Sequence, residues 1–142
     1  MALRIKHNDT EFGVGDRIKV YQRIKEGEKT RVAFFDGMVL SIKGEGDRKM
    51  FTVRRVGEAG IGIERIFPIL LPSIEKIEVL KKGTRGVKRA KLYYTRDKST
   101  KEIDKIYSRA KNRELSKTQT AIKPSKTVEI QPKGHKKSSK IK

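Results

Sequence analysis

The sequence predicts an all-β fold, a small β-barrel over residues 12–96, and three observations lead to this prediction. Apolar and polar residues alternate with a period of two, as at Ile18 and Val20, which is typical of a strand with one buried face. Glycine-rich turns recur at a spacing of roughly ten residues. No helical pattern separates the apolar runs, which disfavours alternating helices and strands.

The individual strands follow in chain order. Gly13, Gly15 and Asp16 supply an entry turn, and the first strand begins at Arg17 and is broken at residues 26–28. A second strand at residues 32–42 is interrupted at residues 36–37, where a bend, bulge or turn is expected. Further strands are expected at residues 50–56, 61–67 and 74–80, although the last is short enough to be scored as a helix.

Residues 81–96 form a basic loop that feeds a last predicted strand, and a helix follows them. Ser99 and Glu102 have capping-box spacing. The apolar positions 103, 106, 107 and 110 then recur at helical spacing, which predicts a short amphipathic helix within residues 97–115. Residues 1–11 are expected to be an N-terminal arm. Residues 116–142 are polar and rich in lysine, so we expect a disordered, flexible basic tail.

The charge distribution indicates a polyanionic partner. The 142 residues contain 36 Lys and Arg against 17 Asp and Glu, a formal net charge of +19. Residues 1–80 contribute +3 of this charge and residues 81–142 contribute +16. A nearly neutral part therefore carries a polycationic part, whose charges would repel one another without a neutralising partner.

The residue inventory disfavours most catalytic and metal-binding chemistry. There are no cysteines, which excludes disulfides and cysteine-ligated metals. His7 and His135 are expected to be solvated, and no glycine motif completes a nucleotide-phosphate cradle. We therefore expect no enzyme activity, no metal and no cofactor. The longest useful uncharged run, residues 66–74, contains two prolines and is too short to span a membrane, so the protein is expected to be cytoplasmic.

The basic residues between positions 81 and 96 are the strongest candidates for ligand binding. This stretch contains no acidic residue, and aromatic residues lie close to its cations. Cations can neutralise phosphates while planar side chains stack on exposed bases. The candidate RNA contacts here are Lys81, Lys82, Arg85, Lys88, Arg89, Lys91, Tyr93, Tyr94 and Arg96.

Three further arginines are also candidates. Arg54 and Arg55 are adjacent in a strand and point to opposite faces, so at most one of them lies on a given outer face. Arg65 is either a contact or a structural partner near Glu64. RNA is favoured modestly over DNA, because no motif that enters a DNA major groove is present.

Several blocks of sequence resemble one known family. These blocks are FGVGD at 12–16, FDG at 35–37, VRRV at 53–56, GIGIERIFP at 60–68, IEKIEV at 74–79 and KRAKLYY at 88–94. In order and spacing they are similar to the L-nineteen family of bacterial large-subunit ribosomal proteins, over residues 10–96.

The resemblance implies an SH3-like β-barrel that binds large-subunit ribosomal RNA. It also implies a position at the subunit interface, where the family bridges to small-subunit ribosomal RNA and lies beside the protein L-fourteen. Arg54, Arg55, Arg65 and the basic residues of 81–96 fall in the matching blocks and are expected to contact RNA. The expected location is the cytoplasm, in the ribosome.

The chain also departs from the family pattern. Residues 97–142 differ from the short basic helix that usually follows, and the part before Phe12 is shorter than usual. Two other functions stay open. One is an SH3-like regulatory factor that binds RNA or RNA polymerase transiently. The other is a nucleic-acid-processing enzyme, which only the charge favours and which would depend on carboxylates such as Glu64 or Glu75.

Overall fold

Seven strands and one long helix make up the computed structural model, which describes residues 3–121. The strands are β1 (Arg4–His7), β2 (Thr10–Gly13), β3 (Arg17–Glu26), β4 (Lys29–Lys43), β5 (Met50–Val56), β6 (Gly62–Pro68) and β7 (Ile74–Lys81). The helix α1 covers Thr100–Ala121. Short single turns of 3₁₀ type lie at Gly46–Arg48, Glu58–Gly60, Thr84–Gly86 and Tyr93–Asp97. Within the described residues no helix is long and apolar enough to cross a membrane.

Five strands form one antiparallel sheet in the order β6-β5-β4-β3-β7, and β1 and β2 form a separate hairpin. The mostly-β class with one C-terminal helix is therefore confirmed, as are the five strands expected between residues 17 and 80. In the described part of the chain β6 and β7 each pair on one side only, so they are the two edges of the sheet.

Strand β4 passes straight through the expected interruption at residues 36–37. Asp36 and Gly37 stay in register opposite Lys19 and Ile18 of β3. A Cβ at Gly37 would collide with the carbonyl oxygen of Arg54 on β5, so this glycine allows two strands to approach closely. The irregularity in β4 lies instead between Val39 and Ser41, in its pairing with β5.

Aromatic side chains from four strands form the centre of the core. Phe51 of β5 meets Phe12 of β2 edge-on at 5.1 Å between ring centroids and stacks on Phe67 of β6 at 5.4 Å. Phe35 of β4 lies 6.1 Å from Phe67. All four rings are buried. Phe12 thereby attaches the first hairpin to the main sheet, since burial of an aromatic side chain contributes ~1.5–3 kcal/mol.

The N-terminal residues expected to form an arm contribute a hairpin to the fold. Residues 4–7 pair with residues 10–13, and Ile5, opposite Phe12, is buried. Asn8 adopts a φ of 50° in the connecting turn, a conformation that asparagine tolerates better than most residues. The two hairpin strands are short and polar on one side. The sequence therefore shows only a weak alternation of apolar and polar residues there.

Only the Glu102 half of the capping box predicted for α1 is formed, because the Ser99 hydroxyl donates to the Glu102 carboxylate at 3.5 Å while the Glu102 N–H donates to the Ser99 carbonyl oxygen at 3.0 Å. The helix is also longer than predicted. The Glu102 carboxylate accepts a hydrogen bond from the Ser99 backbone N–H at 3.2 Å, and Ile106 and Ala110 are buried. The helix continues to Ala121 because no glycine or proline follows until Pro124. Residues 116–121 of the predicted tail are therefore helical, and residues 122–142 lie outside the described residues.

Residues 83–86 form the seat of α1. A Cβ at Gly86 would collide with the carbonyl oxygen of Ile106, and one at Gly83 would lie 3.0 Å from the Tyr107 ring. The Arg113 guanidinium donates a hydrogen bond to the Arg85 carbonyl oxygen. The helix is thus held against the chain that leaves β7, and burial there raises the pKa of Tyr107 to about 12.

Gly86→Ala is expected to displace α1, because the added methyl group has no room beside Ile106. The expected loss is about 1–3 kcal/mol of unfolding free energy, measured by urea denaturation. An absorbance titration should show the Tyr107 phenol ionising nearer its ordinary pKa of 10. Gly57→Ala is the control, since a Cβ there has no neighbour closer than 3.6 Å. Equal behaviour of the two variants would contradict the close seat of α1.

Candidate nucleic-acid interface

Residues 81–96, the basic segment, are attached to the sheet at several buried points. Val87 is buried, and Leu92 is fully buried. The Leu92 N–H donates a hydrogen bond to the Leu40 carbonyl oxygen of β4 at 2.9 Å. The Tyr93 hydroxyl donates to the buried Ser41 Oγ at 3.1 Å. These contacts fix the backbone on either side of the exposed residues 88–91.

Asp16 makes the tightest of these attachments. Its carboxylate is buried and accepts hydrogen bonds from the backbone N–H groups of Gly83 and Thr84 at 2.6 and 2.8 Å. The Thr84 hydroxyl donates to the same carboxylate at 2.6 Å, and the Gly13 N–H does so at 2.9 Å. One side chain therefore joins the hairpin, the entry to β3 and the start of the basic segment. The sequence pattern had assigned Asp16 to the entry turn alone.

The prediction of a last strand within the basic segment is wrong. The chain forms a 3₁₀ turn at Tyr93–Asp97 instead. The Thr95 hydroxyl donates a hydrogen bond to the Leu92 carbonyl oxygen at 2.6 Å, and the Thr95 N–H also donates to this oxygen at 3.0 Å. Both bonds close the chain into a turn directly after Leu92, so a paired strand cannot continue.

Six candidate cations are free of carboxylate partners in the part of the chain that the structure describes. Each of them is exposed, and none lies within ion-pair distance of an acidic side chain there. They are Arg65, Lys81, Lys82, Lys88, Arg89 and Lys91. Since their full charge faces solvent, they are the best placed to meet phosphates.

Four other candidates are engaged in ion pairs. Arg54 and Arg96 both bind the Glu64 carboxylate, at 2.9 and 2.7 Å. The remaining two pairs are longer: Arg55 with Asp36 at 3.6 Å and Arg85 with Glu114 at 3.8 Å. The Arg54 side chain is only 18% exposed, so its principal role is structural. Arg54 and Arg96, at the end of the basic segment, are thus held together by the Glu64 carboxylate that both of them bind.

Three of the six cations without a carboxylate partner lie against aromatic rings. The Arg65 guanidinium lies 5.3 Å from the centroid of Phe35 and 5.9 Å from that of Phe67, on the face of β6 opposite to Glu64. Lys81 lies over Tyr107 at 5.7 Å, and Arg89 over Tyr94 at 5.5 Å. Tyr94 is exposed, whereas the Tyr93 hydroxyl is occupied by Ser41. Arg65 therefore faces away from the Arg54–Arg96 cluster.

Sequence reasoning missed the cations that α1 brings to the basic segment. Lys105 and Arg109 line the same cavity as Tyr94, next to Lys98. A signal was available, because Lys101, Lys105 and Arg109 recur at four-residue spacing and so share one helix face. Among the residues described, no group of three or more potential ligands could hold a metal ion.

Glu64 is the electrostatic centre of its cluster. The hydrogen bond from Arg96 is the largest influence on the pKa of the Glu64 carboxyl and holds it below its ordinary value of 4.5, and Arg54 adds to this effect. Because the folded-state pKa is lowered, the ion pair stabilises the fold fully above the unfolded-state pKa. This stabilisation is lost as the pH falls through the lower, folded-state value.

Comparison with known proteins identifies the family. The family model described as Ribosomal protein L19 matches residues 2–109. The chain belongs to this family. The match extends beyond the residues 10–96 over which the resemblance was expected and includes the first turns of α1. Members of the L19 family are structural components and not enzymes.

Three relatives carry the name "Large ribosomal subunit protein bL19". That of Thermosipho africanus is 58% identical over 87 residues, which are 61% of this chain and 74% of the relative. That of Kosmotoga olearia is 50% identical over 93 residues, 66% of this chain and 79% of the relative. That of Flavobacterium johnsoniae is 47% identical over 97 residues, 68% of this chain and 81% of the relative. About a third of the chain therefore lies outside each of these alignments.

Glu64→Gln is expected to destabilise the protein at pH 7 and to have a smaller effect at an acid pH below the lowered folded-state pKa of Glu64, because the wild-type carboxyl is protonated there too. Urea unfolding at both pH values measures the two differences. Glu58→Gln is the control, since Glu58 is exposed and has no ion pair within residues 3–121, and it should change neither value. An equal effect of Glu64→Gln at both pH values would contradict the electrostatic role of Glu64.

Proposed function

We propose that the protein is a non-catalytic constituent of the large ribosomal subunit, which binds ribosomal RNA through the basic segment. The observation that carries this proposal is the anchored, acid-free run of cations at residues 81–96 in a chain of the L19 family. As a ribosomal protein of this family, the chain acts in the cytoplasm, in the ribosome.

In this proposal the protein acts by holding cations in fixed positions and not by catalysing a reaction. Asp16, Leu92 and Tyr93 hold the backbone on both sides of residues 88–91, so the exposed cations are presented from a fixed base. Binding then costs less ordering entropy than it would for a free loop. Each phosphate neutralised by a lysine or arginine releases condensed counterions, which supplies much of the affinity.

The proposal extends to the type of β fold and to the molecules that the protein contacts in the ribosome. We propose that the sheet is an SH3-like barrel and that the protein lies at the subunit interface, where it bridges to small-subunit ribosomal RNA. A protein neighbour such as L-fourteen is supported by the free edge of β6, where Ile63 and Ile66 are 45% and 65% exposed. Exposed apolar side chains beside an unpaired strand edge favour a protein contact.

Sedimentation tests the proposal directly. A tagged copy of the full chain is expected to migrate with the large subunit at a near one-to-one ratio to ribosomal RNA after a high-salt wash. Replacing Lys88 and Arg89 together by Ala should release the protein at lower salt, because two phosphate contacts are lost. The log–log salt dependence of RNA binding should become shallower by about 1–2.

Two results would overturn parts of this proposal. Loss of the wild-type protein to the top of the gradient, under conditions that retain other ribosomal proteins, would favour a transient RNA or polymerase factor. An unchanged salt dependence in the double variant would mean that Lys88 and Arg89 do not meet phosphates. Phe34→Ala, on the exposed part of β4, is the control and should behave as the wild type does.

A further inference from the structure

Helix α1 and the end of the basic segment border two adjoining cavities that are open to solvent. The larger, of about 460 Å³, lies between residues 94–98 and the helix residues 102–112. The smaller, of about 320 Å³, is lined by Gly86, Lys88, Arg89, Tyr94 and Arg109. Tyr94 and Arg109 line both cavities. Each volume is within the range of ~300–1,000 Å³ that is typical of small-ligand sites.

The two cavities together are strongly cationic. Among the residues that the structure describes, the basic side chains in their walls are Lys88, Arg89, Lys98, Lys105 and Arg109, and the carboxylate is Glu102. Glu102 is already engaged, because it accepts hydrogen bonds from the Ser99 N–H at 3.2 Å and from Lys98 Nζ at 3.4 Å. The remaining positive charge favours an anionic ligand.

Tyr94 provides an aromatic surface at the junction of the cavities. Its side chain is exposed, and the Arg89 guanidinium lies 5.5 Å from its ring centroid. The partly buried Ile103 adds an apolar wall in the larger cavity, and Ser108 and Asn112 add hydrogen-bonding groups. A flat aromatic surface, an arginine and several lysines around one cleft suit a base that is attached to phosphates.

We propose that these cavities bind a single unpaired RNA nucleotide, with its base on Tyr94 and its flanking phosphates on Arg89, Lys105 and Arg109. A paired base is stacked inside its helix and cannot enter such a cleft, so the site selects a bulged or looped nucleotide. This inference rests on the proposed binding of ribosomal RNA. It assigns α1 a direct part in that binding, since Lys105 and Arg109 reach the site only when the helix is seated on residues 83–86.

Fluorescence gives a direct test, because the chain contains no tryptophan. Tyr94→Trp introduces the sole indole at the junction of the two cavities. Its emission is expected to be quenched when the full chain binds a short single-stranded oligoadenylate. Phe34→Trp is the matched control, since Phe34 is exposed but lines neither cavity, and its emission should stay unchanged. Equal quenching in both variants, or none in Tyr94→Trp, would overturn the inference.

Affinity measurements separate this inference from the proposed function. Tyr94→Ala should weaken oligoadenylate binding by about 5- to 150-fold with an unchanged salt dependence, because stacking releases no counterions. Tyr94→Phe should bind as the wild type does. Arg109→Gln should make the log–log salt dependence shallower by about 0.7.

The pattern of failure identifies which statement is wrong. If Tyr94→Ala binds oligoadenylate normally while the Lys88 and Arg89 double variant still shows the shallower salt dependence, the nucleotide site is absent and the proposed RNA binding stands. If the wild-type chain binds neither oligoadenylate nor ribosomal RNA, the proposed function fails as well. Preference for a duplex RNA of the same length over oligoadenylate would contradict an unpaired nucleotide as the ligand.

Discussion

The carboxylate of Asp16 connects the first hairpin, the entry to β3 and the start of the basic segment. It accepts hydrogen bonds from Gly13 in the first hairpin and from Gly83 and Thr84 at the start of the basic segment. A buried carboxylate is stable only when its oxygens are satisfied, and a buried N–H without a partner costs ~1–3 kcal/mol. The N–H groups and the Asp16 carboxylate therefore stabilise one another in the interior. Their hydrogen bonds fix the direction in which the chain leaves β7.

The position of the candidate RNA-binding groups follows from that constraint. Residues 83–86 form the seat of α1, and the helix brings Lys105 and Arg109 beside Tyr94. At the other end of the basic segment, Arg96 and Arg54 share the Glu64 carboxylate. Both ends of the segment are thus held by buried or paired carboxylates, while its middle presents cations that have no ion pair within residues 3–121. The residues that hold the backbone of the segment in place are therefore different from the residues whose charges are exposed.

Much of the fold could be predicted because the relevant signals are local. The period-two alternation at Ile18 and Val20 and the capping-box spacing at Ser99 are read from neighbouring residues, and the structure confirms the strand and the Glu102 half of the capping box. The role of Asp16 could not be predicted, because its partner Gly83 is 67 residues away. The same limit applied to Arg54, whose position in a block that resembles the family favoured RNA contact, whereas the fold places Glu64 beside it.

Amide hydrogen exchange in an Asp16→Ala variant tests the central claim most directly. A selective loss of protection is expected at the Gly13, Gly83 and Thr84 N–H groups, since no carboxylate oxygen is left to accept their hydrogen bonds. Sheet amides such as that of Phe51 should stay protected, and RNA affinity should fall. Unchanged protection at Gly83 and Thr84, or unchanged RNA affinity once that protection is lost, would contradict the account.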